Sequence, residues 1–436
     1  MGMSDKQFVT YARELQAQLE EIEVILKISV FGLGFVGLTT GLGFAQKGFT
    51  VHGFDVNVER SNVISGGNIP FHEPGLDDAL INNLNKTFII TKTAQEAAKD
   101  CDVCFLCVGT PGLDDGSADL SYVFSVIDDV IDIVSDKCVF VVKSTVPPGS
   151  SSRVADYLAK KGASNPVAMN PEFLREGYCW EDFMEPDRVV CGVDCDEAKK
   201  VLAEVYAPFN APVRFVTPST AEFIKYLSNS LLATLISYAN EMSLLADAVG
   251  DIEIAKAFKI LHEDKRLAGA GINSYIYPGC GYGGYCLPKD TMALAALGRS
   301  KGRKMEILEN VISLNDDMPK LTAQKIIGNT NSKNDKIGIL GLSFKAGSDD
   351  IRDSSAAKII KELFEEGFES IFAFDPMATE EFQKAYNLDI VYCESAEDLC
   401  DTADTIALVT AWKDFEGINK KFPNKKFIDC RYFWSE

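Results

Sequence analysis

A glycine-rich segment that contains a cysteine carries the strongest chemical signal in the chain. Residues 279–290 read Gly-Cys-Gly-Tyr-Gly-Gly-Tyr-Cys-Leu-Pro-Lys-Asp and lead into an alanine- and leucine-rich stretch. Pro288 suits the first turn of a helix, so Cys286 should lie just outside the helix N-terminus. The helix dipole there favours a thiolate and lowers the thiol pKa. We therefore predict that Cys286 is a nucleophile, and Asp290, one turn further on, can act on the same reacting group.

The other eleven of the twelve cysteines are predicted to be reduced, buried apolar side chains. Cys101, Cys104 and Cys107 have a spacing that imitates a metal motif, but an extended strand would direct Cys104 and Cys107 to opposite faces. The three histidines show no ligand spacing either. We therefore expect no metal site.

A glycine pattern follows an apolar strand and precedes a helical segment. Gly32, Gly34 and Gly37 form Gly-x-Gly-x-x-Gly, with Phe35 and Val36 inside the pattern. Such glycines permit a tight turn, let the backbone approach a pyrophosphate and allow helix and strand to pack closely. The phosphates then lie at the positive end of the helix. This context predicts a dinucleotide-binding site.

An acidic residue at the end of the next strand indicates which dinucleotide binds. Asp55 lies eighteen residues after Gly37. A carboxylate at this place accepts hydrogen bonds from the adenosine ribose hydroxyls and would repel a ribose phosphate. NAD is therefore favoured over NADP, and Arg60 nearby leaves NADP as the alternative.

Two polar residues lie four apart on a predicted long helix. Ser219 and Glu222 form a capping box, apolar residues recur at helical spacing, and Gly250 supplies the stop. Lys225 and Asn229 then share one helix face and can converge on one ligand oxygen, with an ordinary solvated face as the alternative. A helix of about thirty residues would span roughly 45 Å, which suits a spine that connects domains or forms a dimer.

The elements that must position these residues indicate an α/β fold. From Lys27, short apolar runs alternate with helical segments, as in a parallel sheet covered on both faces. A second strand-turn-helix unit opens at Lys336, with Asp375 in the place of Asp55. We predict two Rossmann-like doubly wound domains joined by a long central helix, plus an N-terminal amphipathic helix over residues 4–24. The predicted domains cover residues 1–26, 27–216, 217–330 and 331–436.

Length, charge and composition exclude several classes of protein. The 436 residues exceed what one core usually supports and have an ordinary globular composition. A net charge of −21 repels nucleic acid and anionic membranes, although a local site can still hold a small phosphorylated ligand. No apolar run is long enough to span a membrane, and the cysteines suit a reducing compartment. We therefore expect a cytoplasmic protein.

Several motifs, in order from about Lys27 to Phe433, resemble one enzyme family. Besides the glycine pattern and the Cys286 loop, they are Lys143-Ser-Thr-Val-Pro147, Asn170-Pro-Glu-Phe-Leu-Arg-Glu-Gly177, Pro186-Asp-Arg188, the pair Lys225 and Asn229, and Gly341-Leu-Ser-Phe-Lys345 leading to Asp349-Asp-Ile-Arg352. On these motifs the chain resembles the UDP-glucose/GDP-mannose dehydrogenase family. The resemblance implies an NAD-dependent enzyme that acts on a nucleotide sugar, pairs as a homodimer through the central helix and makes polysaccharide precursors.

The resemblance also implies roles for the residues around the reacting carbon. Cys286 is implied to be the covalent nucleophile, and Lys225 to stabilise oxyanion charge with the support of Asn229. Glu172 resembles the acid/base residue for thioester hydrolysis.

Other matching residues are implied to position the water and the cofactor. Thr145 and Asp290 resemble the residues that help to place the hydrolytic water. Glu176 is implied to lie beside the nicotinamide, and Thr110 and Arg352 to contact NAD.

The substrate contacts are implied to come from three parts of the chain. They are Phe173, Leu174, Lys225, Asn229, Tyr277, Gly279, Gly281, Gly283, Phe344, Lys345, Arg266 and Arg431. The loop from Tyr277 to Gly283 would hold sugar and diphosphate, and residues 331–436 would form the sugar-nucleotide-binding domain. Arg266 is the candidate for an arginine that reaches across the dimer interface in this family, although the stretch from 268 to 275 that follows it is longer than usual.

The implied reaction turns a primary alcohol into a carboxylate in two hydride transfers. One enzyme must hold the aldehyde between the steps, so Cys286 would form a thiohemiacetal and then a thioester. The Cys-Leu-Pro-Lys-Asp form from Cys286 resembles family members that act on UDP-glucose or GDP-mannose, whereas members that act on N-acetylated sugars typically have His where this chain has Tyr285. UDP-glucose, giving UDP-glucuronate, is the expected substrate. The alternatives are the same chemistry on GDP-mannose or a UDP-N-acetylhexosamine, a one-hydride dehydrogenase, and a non-catalytic nucleotide-sugar sensor.

Overall fold

Two parallel-sheet domains and a helical region between them make up the protein. The computed structural model describes residues 26–267 and 271–434. The prediction of two Rossmann-like domains joined by a long helix is confirmed. The amphipathic helix predicted over residues 4–24 lies outside the described residues.

The first domain is built on an eight-stranded sheet. Its strands are β1 Lys27–Phe31, β2 Thr50–Phe54, β3 Phe88–Ile90, β4 Val103–Leu106, β5 Val139–Val142, β6 Val167–Met169, β7 Val189–Gly192 and β8 Val213–Val216. They lie in the order β3-β2-β1-β4-β5-β6-β7-β8, and only the β6–β7 pairing is antiparallel. The chain winds in opposite directions from β1, so a crevice opens at the carboxyl ends of β1 and β4, where such folds bind ligands.

Helices cover both faces of this sheet. They are α1 Phe35–Gln46, α2 Val58–Ser65, α3 Leu76–Asn83, α4 Ala94–Ala98, α5 Ser121–Val130, α6 Ser150–Lys160, α7 Cys179–Met184 and α8 Asp196–Tyr206, followed by a 3₁₀ turn, Ala207–Phe209. The strands β4 and β5 are buried throughout, which explains their uninterrupted apolar sequences. Two hydrophobic cores therefore form, one on each face.

The central helix α9, Pro218–Val249, is 32 residues long. Its start corrects one prediction: Thr217, not Ser219, is the N-cap and accepts a hydrogen bond from the Thr220 amide. Glu222 instead accepts hydrogen bonds from the amides of Gly149 and Ser151 at the start of α6, both at 2.6 Å. Tertiary contacts thus take the carboxylate that the predicted capping box would have used. None of the helices in the described parts of the chain has both the length and the apolar character needed to cross a membrane.

The helices that follow bring the cysteine loop against α9. They are α10 Ile254–His262, a 3₁₀ turn Asn273–Tyr275, α11 Cys286–Ser300 and α12 Glu306–Ile327. Both α11 and α12 pack along α9. The glycine-rich loop therefore ends beside the helix that carries Lys225 and Asn229.

The second domain repeats the first in a shorter form. Its strands are β9 Ile337–Leu340, β10 Ile371–Phe374, β11 Val391–Tyr392, β12 Thr405–Leu408 and β13 Lys426–Asp429, in the order β11-β10-β9-β12-β13. Its helices are α13 Ser355–Glu365, α14 Thr379–Tyr386, α15 Ala396–Thr402 and α16 Ile418–Lys421, with a 3₁₀ turn at Lys413–Phe415.

The internal repeat extends to a hydrogen bond. Asp55 after β2 accepts the Leu33 amide at 2.6 Å, and Asp375 after β10 accepts the Leu342 amide at 2.8 Å. Trp412 also donates its indole N–H to Asp375 at 3.0 Å. The protein's own donors thus hold this carboxylate in both domains.

Candidate active site

The glycine loop forms a turn against which a phosphate group fits. Gly32 has φ +89°, a left-handed conformation that favours glycine. A Cβ at Gly37 would lie 1.7 Å from the carbonyl oxygen of Gly32, so α1 and β1 can approach only with glycine there. Gly34 faces open space, and no side chain caps the N-terminus of α1, which begins Phe35-Val36. The first amides of α1 are therefore available to an anion.

Asp55 lies at the end of β2 beside this loop, as expected. Its carboxylate is buried, accepts the amides of Leu33 and Asn57, and forms an ion pair with Arg60 at 2.9 Å. Arg60 thus holds the acid in place in this structure.

Thr110 and Thr145 come together where β4 and β5 end. The Thr110 hydroxyl donates a hydrogen bond to the Thr145 carbonyl oxygen at 2.8 Å. Two residues that are 35 positions apart in sequence therefore share the crevice next to the glycine loop.

Cys286 stands at the start of α11, and two details of the prediction need correction. The helix begins at Cys286 itself, with Tyr285 as N-cap, two residues earlier than Pro288 suggested. The thiol pKa is not lowered: burial of the sulfur raises the pKa of Cys286 to about 12, while the Lys225 ammonium opposes the rise. The residue is exposed, yet protein atoms around the sulfur displace much of its hydration. Desolvation is the largest influence on this pKa.

A buried ion pair lies beside this cysteine. Lys225 Nζ, from α9, is 2.7 Å from Glu172 Oε1, and both side chains are almost fully buried. Burial alone would lower the pKa of Lys225, but Glu172 and Cys286 raise it well above its usual range. Burial would raise the pKa of Glu172, but Lys225 and the Leu174 amide hold it below its usual range. Lys225 is therefore charged, and Glu172 is its counterion.

Asn229 and Asp290 join the same cluster. Asn229 donates its side-chain amide to Asp290 Oδ2 at 2.6 Å, and Lys289 forms an ion pair with Asp290 Oδ1, also at 2.6 Å. One turn of α9 carries Lys225 and Asn229, and one turn of α11 carries Cys286 and Asp290. Four of the predicted residues therefore meet between these two helices.

The loop from Tyr277 to Gly283 packs against the second domain. A Cβ at Gly279 would lie 2.4 Å from Nη1 of Arg431, and one at Gly283 would lie 2.4 Å from a backbone oxygen and 3.5 Å from Phe344. Gly281 has φ +92°. Tyr277 donates its hydroxyl to a backbone oxygen of the second domain at 3.1 Å. The predicted substrate residues of both regions thus line one junction.

Glu176 connects the two domains. The Lys345 ammonium donates to its carbonyl oxygen at 2.6 Å, and Arg352 lies 3.3 Å from its carboxylate. Burial and the nearby Asp350 carboxylate raise the pKa of Glu176 to about 7, although Arg352 opposes them. Arg352 also lies over the Tyr285 ring, 4.7 Å from its centroid, next to Cys286.

Phe173 and Leu174 border a cavity of about 600 Å³ that also reaches Glu172. The Lys225 ammonium lies 5.8 Å from the centre of the Phe173 ring. The cavity is lined by the loop after β6 that carries Glu172, by Ser228 and Leu232 of α9, and by Tyr275 of the 3₁₀ turn. A space for a ligand therefore adjoins the charged cluster.

One predicted residue lies apart from the cluster. Arg266 is largely exposed and pairs with Asp264 at 2.5 Å. Within a single chain it contacts none of the other candidate residues that the structure describes.

Two buried lysines at the site were missed by the sequence reasoning. Lys289 is the partner of Asp290 described above. Lys143 follows β5 and donates to Asn170 Oδ1 at 2.8 Å, and burial lowers its pKa. Both stand inside motifs that carried the family resemblance, and that position was the only available signal.

Comparisons with known proteins agree with this geometry. Residues 26–210 match the NAD binding domain of the UDP-glucose/GDP-mannose dehydrogenase family, residues 219–317 its central domain, and residues 338–436 its UDP binding domain. A UDP-glucose 6-dehydrogenase of Rickettsia bellii is 38% identical over 401 residues, covering 90% of this chain and 91% of the relative.

Solved structures show the same similarity. A UDP-glucose dehydrogenase from Pyrobaculum islandicum has a TM-score of 0.88 at 37% identity, covering 94% of this chain and 96% of the other. A UDP-D-ManNAc dehydrogenase from Pyrococcus horikoshii has a TM-score of 0.81 at 26% identity, covering 94% and 96%. With its glycine loop, cysteine loop and second Rossmann-like domain in the same order, the chain belongs to the UDP-glucose/GDP-mannose dehydrogenase family of NAD-dependent enzymes that oxidise nucleotide sugars.

Proposed function

We propose that the protein oxidises the primary alcohol of UDP-glucose to the carboxylate of UDP-glucuronate, with Cys286 as the covalent nucleophile. The observation that carries the proposal is the position of Cys286 at the start of α11, within the electrostatic reach of the buried Lys225–Glu172 pair. A one-hydride dehydrogenase has no need of such a thiol.

The residues of the first domain fit NAD. The open space at Gly34 and the uncapped amides of α1 suit a pyrophosphate, and Asp55 suits ribose hydroxyls. NAD, when bound, accepts one hydride in each oxidation, so each sugar consumes two.

Capture of the aldehyde forms a C–S bond between Cys286 and the aldehyde carbon, and the thiol proton passes to water. The carbonyl oxygen then becomes an alkoxide, and the Lys225 ammonium is the charge placed to stabilise it. With a pKa of about 12, the free protein holds this sulfur as a thiol at neutral pH. The positive charge of Lys225 lowers that pKa and so favours the nucleophilic form.

Hydrolysis of the thioester requires a base, and Glu172 can change its strength for this task. While Lys225 pairs with it, the pKa of Glu172 is low and the carboxylate is a weak base. If Lys225 turns to the substrate oxygen, burial is left to raise the pKa of Glu172. Glu172 then accepts a proton from water, the water oxygen bonds to the carbonyl carbon, and the C–S bond breaks to release Cys286.

Asp290 has a positioning role in this proposal. Its two oxygens are held by Asn229 and Lys289. A carboxylate fixed at both oxygens beside the nucleophile can orient a water or the substrate without moving.

UDP-glucose is chosen because the relatives with the higher identities are named for it. Tyr285, which precedes the nucleophile, also separates the chain from the pattern of the N-acetylated sugars. The ring of Tyr285 lies under Arg352 and near Lys289, so it fills the space between α11 and the second domain.

The proposal includes a homodimer formed through α9. Large apolar side chains stay exposed along one stripe of this helix, at Phe223, Leu227, Leu231, Tyr238, Leu245 and Val249. Their separations of four and seven residues repeat with the helix period. A contiguous stripe of this kind marks a protein contact. A second copy of α9 would cover it.

The test is an assay of NADH formation against UDP-glucose, GDP-mannose, UDP-N-acetylglucosamine and UDP-N-acetylmannosamine. We expect two NADH and one uronate per UDP-glucose, and slower turnover of the other sugars. One NADH with release of an aldehyde would contradict the four-electron chemistry. Tight binding of sugar nucleotide and NAD without turnover would instead indicate a sensor.

A further inference from the structure

We infer that Cys101, Cys104 and Cys138 form a binding site for one thiophilic metal ion of the copper(I) or zinc class, apart from the active site. The sulfur of Cys101 lies 3.2 Å from that of Cys104 and 3.6 Å from that of Cys138, and the third side of the triangle is also 3.6 Å. All three residues are buried. One ion could therefore touch three sulfurs at once.

The fold, not the spacing in sequence, makes this triangle. Cys104 lies in β4, Cys101 in the turn just before it, and Cys138 immediately before β5. Because β4 and β5 pair with Val103 opposite Val139, the start of both strands brings the sulfurs together. Cys107, the third cysteine of the apparent motif, packs against the core on the opposite face.

The ligand set selects the class of ion. Among the described residues, no histidine or carboxylate joins the group, which consists of cysteines alone. Thiolates select soft ions such as copper(I) and zinc over magnesium or calcium. Sulfurs bound tetrahedrally to zinc at about 2.3 Å lie about 3.8 Å apart, so two sides of the triangle need to lengthen by about 0.2 Å and the Cys101–Cys104 side by about 0.6 Å. On binding, the metal–sulfur bonds replace S–H bonds, and the protons go to solvent.

Coordination number and charge favour different ions. Structural zinc takes four ligands, and the triangle supplies three. The hydroxyl of Ser29, which lies opposite Cys104 on β1, donates a hydrogen bond to the Ala97 carbonyl oxygen at 2.5 Å. Three sulfurs alone suit copper(I). Three thiolates around copper(I), however, leave one more negative charge in the core than they do around zinc, and burying that charge is costly. The two ions share one chemistry, and the experiment distinguishes them.

The experiment measures metal in the full-length protein. The Cys286→Ser background removes the thiol of the one exposed cysteine residue among those described, because that thiol could bind metal by itself. This protein is expressed in medium supplemented with zinc or with copper, purified under reducing anaerobic conditions and analysed by mass spectrometry of the metals. Because the site is buried, the ion should enter during folding. We expect close to one ion per chain, retained through dialysis against a mild chelator.

Variants assign the ion to the triangle. Cys104→Ala and Cys138→Ala should each weaken metal retention by more than the ten- to hundredfold that loss of an outer-shell partner typically causes. Cys195→Ser is the matched control, because Cys195 is half-buried at the N-cap of α8, where Ser is favoured. It should keep the ion.

X-ray absorption of the metal in the background protein gives a second readout that does not depend on the triangle variants folding. Three sulfur neighbours are expected; copper with three sulfurs and zinc with three sulfurs plus one oxygen distinguish the two ions. Protein that contains no metal after either supplementation, or metal without sulfur neighbours, would overturn the inference. So would a Cys101–Cys104 disulfide in the protein purified without reductant, because it would identify the cluster as a redox pair.

Discussion

At the residue scale, the charges around Cys286 act on it in opposite directions. Burial raises the pKa of the thiol, Lys225 lowers it, and Glu172 and Asp290 raise it further. Burial and the side chains brought in by α9, by α11 and by the loop after β6 that carries Glu172 thus set this pKa. Reactivity of this sulfur should therefore respond to the charge of its neighbours.

Alkylation of Cys286 by iodoacetamide tests this balance in the cofactor-free protein. Since the thiol pKa is about 12, the thiolate fraction, and with it the rate, should rise with pH through the whole range from neutral to pH 10 without a plateau. Mass spectrometry of the peptide that contains Cys286 measures the rate.

Two substitutions should shift that rate in opposite directions. Lys225→Met removes the cation that lowers the thiol pKa and should slow alkylation about tenfold. Glu172→Gln removes a charge that raises the pKa and should speed alkylation. A faster reaction in Lys225→Met would show that this lysine does not act on the sulfur.

The nucleophile itself is tested by substitution. Cys286→Ala should lower uronate formation by about three orders of magnitude or more, because the covalent step is lost. Cys286→Ser should be severely impaired as well, since an alkoxide is the poorer nucleophile and leaving group. Chromatography of the product measures uronate formation. Undiminished uronate formation by Cys286→Ala would rule out the thioester route.

At the scale of elements, loops at strand ends and the long helix α9 position the chemistry. The glycines of the first loop differ in what surrounds them, although the motif treats them alike. Gly37 is crowded by the carbonyl of Gly32, and Gly34 faces open space. Gly37 should therefore matter for the stability of the fold, and Gly34 for the binding of NAD.

Gly37→Ala and Gly34→Ala form a matched pair. Gly37→Ala should lower the free energy of unfolding by about 1–3 kcal/mol, because the new Cβ must displace α1 from β1. Gly34→Ala should leave that free energy almost unchanged but weaken NAD binding, because the Cβ points into the pyrophosphate space. Denaturant unfolding and calorimetric NAD titration separate the two. Equal loss of stability in both variants would contradict this division.

The stripe on α9 makes a prediction about assembly. Leu231→Glu should convert the dimer to a monomer, because a charge in the middle of an apolar contact is buried without a partner. Light scattering after size-exclusion chromatography measures the mass. Ile81→Glu is the control: Ile81 is an aliphatic residue on α3 that is more exposed than Leu231, and the substitution should leave the mass unchanged. A wild-type protein that is monomeric at micromolar concentration would disprove the proposed interface.

At the scale of the whole molecule, the site exists only where the two Rossmann-like domains and α9 meet. Lys345 and Arg352 of the second domain both contact Glu176 of the first. The region that would hold NAD is thus tied to the region that would hold the nucleotide of the sugar. A substitution at this contact should affect catalysis more than stability.

Arg352→Gln tests that coupling. Arg352 is partly exposed, so loss of its pairs with Glu176 at 3.3 Å and with Asp350 at 2.6 Å should cost about 1–2 kcal/mol of unfolding free energy. We expect kcat/KM to fall about tenfold, because Glu176 and Tyr285 lose their shared partner. Lys421→Gln, which breaks an exposed pair with Glu397 inside the second domain, is the control and should leave kcat/KM unchanged. Equal effects of both would remove the assigned role of Arg352.

The sequence alone determined the class of fold and the family, and it named Lys225, Asn229, Cys286 and Asp290, which meet in the structure. Local backbone geometry and burial require apolar runs of four or five residues, glycines at strand ends and an acid after the second strand. These features are local, so they can be read from the local sequence.

Only the tertiary structure decided the electrostatics and the groups built from distant parts of the chain. The pKa of Cys286 depends on desolvation and on charges from α9 and from Glu172 after β6, so the sequence of the cysteine loop alone could not assign the direction of its shift. The Glu222 carboxylate, which the sequence predicted to cap α9, instead accepts a backbone amide at the start of α6. The sulfurs that cluster are those of Cys101, Cys104 and Cys138, and not those of the apparent Cys101-Cys104-Cys107 motif. Strand pairing places residues side by side that sequence separates, and burial then sets their chemistry.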